Sequence, residues 1–592
     1  MTQNKENLKE RYFVISADKS FWPQNDKIIF AGKWCVNPYE QNVTKSINFK
    51  MLENKIYDFE NLRSEIKYCD NIFEKLLDEL TIQFNKVHQI NWSKKSWRVL
   101  IALWLNRYIA IINDRLNLLI DANKKYNIKF KDINFKDDSL VSYDLESSSK
   151  KILDHEWNEN LVRRLQSILN NKKFTFDYLD KLKIQNCEQK SYKFNKFHYK
   201  IINKFWNFFP LSNTNKFFLN KIYVGNFLTS LKLMIKLKEF PVKYFIDERP
   251  IYKNIDIEKR KKISIDLNTP DIKEKIIRFL LNESIPTLYI EGFNDLKNKA
   301  INADLPNNKT IFTCNCWRDT IFKYWIADQI NNGNKLIYGQ HGAGFGIFKD
   351  FLGEKYEYEI SDRYLTWGHK DEKNKKVLAS VDQSLINNSS INKTSKKQFL
   401  IIPAVFQYYY YRNEIYDPNN IFLEFEKIVI FVKNLKTNSK ILFKAHPIEK
   451  KRKFSLEKLA KDQLKNIKFI NPSEDLVKLI DESSLNVFFN LGTLFLKNLA
   501  QNKPSIFICD KTFLKKLTPD SFEHFKILIE QKIVFMDSIE ASNFLNKLED
   551  NIDDWWKNEN LQTARRAFAN IYAKKTSNSL DIFTNNISKP FK

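Results

Sequence analysis

The chain has 592 residues, of which 43% are hydrophobic and 14% aromatic. This length predicts two or three domains, and the apolar content excludes a largely disordered protein. The 97 basic residues exceed the 71 acidic ones by 26, which by itself would suggest nucleic acid or an anionic membrane as partner. The sequence contains no zinc finger, RNP motif or compact arginine stripe, so we expect no specific nucleic-acid partner.

The amino terminus and the cysteines indicate a cytoplasmic protein. Residues 1–10 are polar, without the apolar stretch of a signal peptide. The most apolar segment, 99–120, is interrupted by charged and amide side chains, so a buried helix fits it better than a membrane span. The six cysteines show no framework spacing, and the one close pair, Cys314 and Cys316, lacks a neighbouring histidine. We therefore expect free thiols and no metal site.

The predicted elements of the amino-terminal half alternate between strands and helices. Strands at 12–16 and 27–32 are followed by apolar residues at helical spacing over 61–123. Residues 129–250 are aromatic and basic with weak periodicity, and we interpret them as part of a largely helical insertion. Strands are then predicted at 287–290, 310–313 and 335–338, with a helix at 319–330.

The carboxyl-terminal half has a second strand–helix rhythm after a polar segment. Strands are predicted at 399–403, 440–445, 466–470, 485–489, 505–509 and 533–536, with helices between them. This spacing is typical of a parallel sheet with crossover helices.

The predicted fold is therefore α/β, with two Rossmann-like domains that face each other across a cleft. Residues 1–370 form the first domain, with the helical insertion at about 61–250. Residues 371–397 are the linker, 398–548 form the second domain, and 549–592 form a carboxyl-terminal helical segment.

Glycine marks one candidate loop. The chain has only 11 glycines, and seven of them lie between Gly333 and Gly368. Glycine is needed where the backbone adopts positive φ or another group approaches closely. A loop that contains His341 follows the predicted strand at 335–338, at the sheet edge where ligands bind in open α/β sheets. We expect its amides to face a ligand; a tight turn without a ligand is the structural alternative.

Two stretches of the second domain are candidates for phosphate binding. Lys444 and His446 follow a strand, and Pro447 fixes the backbone so that both point from the carboxyl end of the sheet. Gly492 is the only glycine after Gly368, and Thr493 follows it at a predicted helix start, where amides attract phosphate. Simple capping of the helix by Thr493, or of the strand by His446, is the structural alternative.

An acidic group lies just beyond the glycine loop. If the segment with Glu357, Glu359 and Asp362 closes over the cleft, one of these carboxylates would act as general base on an acceptor hydroxyl. His341 competes for this role, and an ion pair between Asp362 and Arg363 is a structural alternative.

With these residues in view, the sequence resembles a bacterial family of surface-carbohydrate transferases first recognised in leptospires. The resemblance covers most of the chain and is carried by Trp317-Arg318-Asp319, Tyr338-Gly339-Gln340-His341-Gly342, the segment 357–368, and His446-Pro447. More distantly, the chain is similar to CDP-glycerol glycerophosphotransferases and to capsule Kdo transferases. These resemblances imply a glycosyltransferase-B fold and a cytidine nucleotide donor, with His446 on the donor phosphate. They also imply that the first domain, 1–370, binds the acceptor and that the second, 398–548, binds the nucleotide donor. The residues expected to line the cleft beside His341 are Gln340, Gly342, Gly344 and Arg318.

The predicted function is transfer of a sugar, or a glycerophosphate-like group, from a nucleotide-activated donor to a glycan or lipid-linked surface acceptor. No Asp-x-Asp motif follows a strand, so we expect neither a metal nor another cofactor. A CMP-dependent Kdo or nonulosonic-acid transferase is the narrower alternative. A non-catalytic carbohydrate or membrane scaffold with a decayed transferase fold is the alternative of another class. The charge is compatible with peripheral contact to an anionic inner-membrane surface.

Overall fold

The strands of the described residues form three parallel sheets. The computed structural model describes residues 8–24, 27–40, 47–53, 55–135, 139–171, 216–238, 252, 254–303, 309–386, 396–405, 407–410, 416–447, 456–548 and 551–591. Two of the sheets lie in the amino-terminal half and one in the carboxyl-terminal half.

The first sheet is flanked by two long helices. Its strands are β1 (Glu10–Val14), β2 (Ile28–Phe30), β3 (Phe49–Met51) and β4 (Asn127–Lys129), in the order β3-β2-β1-β4. Helices α1 (Phe59–His88) and α2 (Lys94–Lys125) connect β3 to β4. The helical pattern predicted over 61–123 is confirmed as two helices. They are separated where Gln89 ends α1 in the left-handed conformation and the Ser93 side chain caps α2.

Helix α2 is buried on nearly every face, which explains its mixed composition. The Arg115 guanidinium pairs with Asp114 and donates through Nε to Asn158 Oδ1 at 3.0 Å. The Tyr57 hydroxyl donates to the Asp114 carboxylate at 2.8 Å. The polar residues that interrupt segment 99–120 therefore have partners inside the protein, as buried polar groups require. Among the described residues, no helix is long and apolar enough to cross a membrane.

The second sheet carries the glycine loop. Its strands are β5 (Phe217–Asn220), β6 (Thr310–Thr313), β7 (Leu336–Gly339), β8 (Arg363–Thr366) and β9 (Val377–Ala379), in sequential order. Strand β5 arises within the predicted insertion and β9 within the predicted linker, where the sequence signals were weak. The remaining parts of those segments at 172–215, 239–250 and 387–395 lie outside the described residues.

One predicted strand is wrong. Residues 287–290 contain a 3-10 helix, Thr287–Tyr289, directly after Pro286. The first two amides of this turn donate to the carbonyls of Ser142 and Tyr143 in a buried loop rather than to a neighbouring strand. The apolar run is therefore a core segment, which periodicity alone does not distinguish from a short buried strand.

The third sheet has Rossmann topology. Its strands are β10 (Lys396–Ile402), β11 (Lys440–Phe443), β12 (Lys468–Phe469), β13 (Ser483–Phe488), β14 (Ser505–Ile508) and β15 (Val534–Phe535). Their order, β12-β11-β10-β13-β14-β15, corresponds to 3-2-1-4-5-6. In this topology the ligand crevice lies beyond the carboxyl ends of the two central strands, here β10 and β13.

The other helices connect and cover these sheets. They are α3 (Leu145–Ile152), α4 (His155–Asn171), α5 (Phe227–Leu237), α6 (Ile257–Lys261), α7 (Ile272–Phe279), α8 (Leu281–Ser284), α9 (Phe293–Ile301), α10 (Ile321–Asn331), α11 (Leu352–Ile360), α12 (Ile421–Asn434), α13 (Leu456–Gln463), α14 (Leu476–Glu482), α15 (Thr493–Ala500), α16 (Lys511–Lys515), α17 (Pro519–Glu530), α18 (Ser538–Leu548), α19 (Ile552–Lys557), α20 (Glu559–Tyr572) and α21 (Ser579–Ser588).

The end of the chain crosses from the third sheet back to the second. Helix α20 packs against α15 and α17, whereas α21 packs its Phe583 and Ile587 with apolar residues of β5 to β8. The Arg363 guanidinium of β8 donates to three carbonyls of this end, including Ile587 O at 3.2 Å. The predicted α/β class with parallel sheets in both halves is thus confirmed, although the amino-terminal half contains two sheets rather than one.

Candidate functional site

The glycine loop, residues 340–346, follows β7 and confirms the predicted demand for glycine. Gly344 has φ +102° and Gly346 has φ +68°, conformations that other residues adopt at a cost. A Cβ atom on Gly346 would lie 2.6 Å from the His369 ring. Both positions therefore require glycine, one of them for space as well as for backbone conformation.

Gln340 supports this loop from beneath. Its side-chain carbonyl accepts the Trp367 amide at 2.8 Å, and its side-chain amide donates to Gly342 O at 2.9 Å. Gln383 donates to the backbone carbonyl of Gln340 at 2.7 Å. Because Gln340 is fully buried, it holds the loop in place and does not face the open side.

His341 lies in an aromatic enclosure at the tip of β7. The rings of Trp317 and Phe345 pack edge-on against it, and the Tyr223 ring centroid lies 6.4 Å away. Burial lowers the pKa of His341 to about 4, so that the imidazole is neutral near pH 7. A neutral imidazole is the form that accepts a proton.

Glu357 lies behind His341, on the buried face of α11. Its Oε1 is 3.4 Å from His341 Nδ1 and accepts the Trp317 indole N–H at 2.8 Å, while its Oε2 accepts the Tyr364 hydroxyl at 2.8 Å. The carboxyl group is fully buried, which raises its pKa well above the ordinary value. Burial disfavours a charge on either group alone, but an imidazolium and a carboxylate at this distance would stabilise each other.

The predicted acidic group does not form one cluster. Glu359 lies two residues beyond Glu357, about 200° around the helix, and pairs with Arg98 of α2 at 2.5 Å. Asp362 lies at the amino end of the sheet, where it accepts the Leu336 amide at 2.9 Å and contacts Lys95 Nζ at 3.1 Å. The glycine loop is at the opposite, carboxyl end, so only Glu357 adjoins it. The suggested ion pair of Arg363 with Asp362 is also replaced, by the carbonyls at the end of the chain.

The Trp-Arg-Asp motif is divided between the site and the core. Trp317 holds Glu357, whereas Asp319 is buried and pairs with Lys323 Nζ at 2.8 Å. Arg318 is exposed. Burial raises the pKa of Tyr223, and the positive charge of Arg318 opposes this rise. The weak sequence signal of that region did not identify Tyr223.

The donor-side candidates Gly492 and Thr493 lie at the crevice of the third sheet, and Thr493 contacts the glycine loop. They follow β13, and Thr493 is the first residue of α15. The Ala343 amide donates to Thr493 Oγ1 at 3.2 Å, and a Cβ on Gly342 would lie 3.7 Å from that oxygen. The two regions that the sequence separated by 150 residues are therefore adjacent.

Lys444 and His446 occupy different environments. Lys444 is buried, and its ammonium donates to the carbonyls of Asn471 and Pro472 at 3.2 and 2.9 Å. Desolvation lowers its pKa. Lys444 thus fixes the loop after β12 instead of projecting into the crevice. His446 is exposed after β11, on the same sheet edge as Gly492.

Residues just after the glycine loop bond to the carboxyl-terminal half. Phe348 and Leu517 form an antiparallel bridge. The Lys349 amide donates to Lys516 O at 2.8 Å, and the Thr518 amide donates to Ile347 O at 2.9 Å. We call residues 347–349 the docking segment; it fixes the second sheet against the third.

A cavity lies on either side of the docking segment. One, of about 390 Å³, lies at the β10–β13 crevice and includes Ala404, Asn490 and Asp510 in its lining. The other, of about 990 Å³, is lined by residues that include Glu354, Tyr358, His369 and His524.

The larger cavity contains a buried polar group that the sequence only partly indicated. Glu354 accepts the Gly346 amide at 3.0 Å and the Tyr358 hydroxyl at 2.7 Å, and burial raises its pKa to about 7. Burial also lowers the pKa of His369 to about 4. Within the part of the chain that the structure describes, no group of three or more His, Cys, Asp or Glu side chains is placed to hold a metal ion.

A family profile described as LIC12162 family transferase matches residues 11–587. Among curated proteins, none matches. Similar solved structures include MnaA of S. aureus with UDP, at 14% identity and TM-score 0.33 over 50% of this chain and 79% of that one. MurG of Acinetobacter baumannii is similar at 12% identity and TM-score 0.30, over 63% and 99%. The wall teichoic acid polymerase TagF, in a variant soaked with CDPG, is similar at 10% identity and TM-score 0.29, over 50% and 83%.

Proposed function

This chain belongs to the LIC12162 family of transferases, and we propose that it transfers a glycosyl or glycerophosphate-like group from a nucleotide-activated donor to a glycan or lipid-linked acceptor. One observation carries the proposal. The loop with His341 touches the start of α15 at Thr493, in the crevice where a Rossmann-type sheet binds nucleotides. The proposed base and the proposed phosphate-binding helix start are therefore adjacent, which supports the proposal.

In this mechanism His341 accepts the proton of the attacking acceptor hydroxyl. The acceptor oxygen forms the new bond to the transferred group, while the bond from that group to the nucleotide phosphate breaks. Glu357 orients the ring through Nδ1 and offsets the positive charge that arrives on it. Glu357 is therefore a positioning residue, held by Trp317 and Tyr364.

The negative charge on the departing nucleotide is stabilised by the amides at the start of α15 and by His446. Helix amides and an imidazole N–H can donate hydrogen bonds to a phosphate without a metal ion, which is why we propose metal-independent transfer. Arg318, exposed beside Tyr223, is positioned to contact an anionic part of the acceptor. We propose that the donor is a cytidine nucleotide, and this choice rests on the family resemblance alone.

Thermal unfolding with CMP, CDP, UMP, UDP, ADP and GDP tests the donor site. A ligand at 100 times its Kd adds about 2.7 kcal/mol, or a few degrees in a protein of this size. We expect CMP or CDP to raise the midpoint of the wild type, and His446→Ala and Thr493→Ala to reduce the shift. His524→Ala, which lies in the other cavity, is the matched control and should keep it.

The outcomes separate the candidate functions. A shift with uridine nucleotides alone would retain the transferase mechanism and reject the cytidine donor. If no nucleotide raises the midpoint, the donor site is rejected and a non-catalytic scaffold becomes the better explanation.

Because nucleotide-activated donors are cytoplasmic metabolites, we propose that the enzyme works in the cytoplasm, at the inner face of the membrane.

A further inference from the structure

Helix α5 has a group of apolar side chains that remain exposed among the described residues. Of the twelve large apolar side chains that the described residues leave exposed, four lie between Tyr223 and Ile235. Phe227 is 69% exposed, Leu228 65% and Ile235 60%. Scattered single residues of this kind are ordinary, but a contiguous group on one helix indicates an interaction surface.

The exposed residues occupy one side of α5. At about 100° per residue, Phe227, Leu231, Ile235 and Leu228 fall within an arc of about 100°, with Leu231 half-buried. The opposite side carries Thr229, Leu233 and Leu237, which are buried; both leucines pack in the core of the second sheet with α21. The helix is therefore anchored through its inner side, and its outer apolar stripe is additional to the contacts that the described residues make with it.

Lysines border the apolar stripe. Residues 216–238 contain five lysines and no aspartate or glutamate. Lys232 and Lys236 follow the stripe around the helix at about 140° and 180° from Phe227, and both are exposed. Lys236 pairs with Asp581 of α21 at 2.5 Å, so Lys232 provides the electrostatic contribution of this border. Apolar residues beside a basic border on a surface helix match the interior and the headgroups of an anionic bilayer. An acidic protein partner would fit the lysines but would leave the breadth of the apolar stripe unexplained.

We propose that this face of α5 docks the protein on an anionic lipid bilayer. Helix α5 begins just after Tyr223, whose ring lies 6.4 Å from that of His341. The amino-terminal end of α5 is therefore near the loop with His341. If the proposed transferase function holds, docking would bring lipid-linked acceptors to the catalytic loop; the docking itself does not depend on that function.

Sedimentation with lipid vesicles tests the proposal. The wild type should bind vesicles of phosphatidylcholine with about 30 mol% phosphatidylglycerol and bind pure phosphatidylcholine far more weakly. The triple variant Phe227→Glu, Leu228→Glu, Ile235→Glu should lose on the order of 100-fold in partitioning. The matched control is Ile82→Glu, Ile527→Glu, Ile539→Glu, which adds the same charge at other exposed apolar positions and should retain most of the binding.

Lys232→Ala tests the electrostatic contribution to vesicle binding. It should weaken binding about fivefold without a change in fold. Equal loss in the two triple variants would overturn the proposal, because net charge and not this helix would then drive binding. Absence of wild-type binding to anionic vesicles would overturn it as well. Nucleotide-induced thermal shifts, measured on the same variants, should be unchanged, so that failure of docking and failure of the donor site are distinguishable.

Discussion

Replacement of Glu357 by Gln tests the pairing of His341 with the carboxyl group behind it. The change keeps the size of the side chain and an acceptor oxygen for the Trp317 N–H, but it removes the possibility of a negative charge. The Coulomb energy of an imidazolium and a carboxylate 3.4 Å apart is about 5 kcal/mol at an effective dielectric constant of about 20. The amide dipole replaces part of this, so we expect kcat to fall about 10³-fold, at 1.36 kcal/mol per decade.

The assay is release of nucleotide from the activated donor, with the donor base chosen by the thermal-shift experiment. Tyr364→Phe is the matched control, because it removes one hydrogen bond to Glu357 and keeps the carboxyl group. We expect a far smaller loss there, and an unchanged nucleotide-induced thermal shift in both variants. If Glu357→Gln keeps kcat within about fivefold of the wild type while His341→Ala abolishes it, the positioning role is refuted.

Two stability predictions follow from the loop and the larger cavity. Gly344→Ala places a Cβ at φ +102° and 3.1 Å from the Phe351 ring, so it should lower the free energy of unfolding by about 1–3 kcal/mol. Its thermal midpoint should fall below that of Gly333→Ala, which has φ +85° but open space, and equal midpoints would contradict the contact. Burial raises the pKa of Glu354 from 4.5 to about 7, so its contribution to stability is fully present below about pH 4.5 and is lost as the pH rises to 7. As the pH rises from about 4.5 to 7, the free energy of unfolding of Glu354→Gln, measured with urea, should increase by about 3 kcal/mol relative to that of the wild type. A pH-independent difference would disprove the assignment.

The third sheet was predictable because each of its strands is a short apolar run between helical stretches. The predicted bounds of β10, β11, β13 and β14 lie within three residues of the observed bounds at each end. In the second sheet, β6 was predicted with its observed bounds. The glycine loop was predictable for a different reason: a chain that uses glycine sparingly reveals the positions where the backbone requires it.

The acidic residues show what the sequence could not provide. Glu357, Glu359 and Asp362 are close along the chain, but a helix followed directly by a strand separates them. Glu357 and Glu359 lie on different faces of α11, whereas Asp362 lies at the amino end of the second sheet, opposite the glycine loop. Helix α11 was not recognised, so its periodicity could not be applied. The positions of Trp317 and Tyr223 around His341 depend on two further strands, β6 and β5, and β5 lies in a segment without a clear pattern.

The docking segment, residues 347–349 between the second and third sheets, limits how the two halves of the chain can move. A rotation that opens the space between the second and third sheets would have to break the Phe348–Leu517 bridge or take the glycine loop along with it. The position of His341 relative to Thr493 is therefore set jointly by both halves of the chain. If the proposed transferase function holds, substrates would reach the loop through the cavities beside this segment and not through an opening between the two sheets.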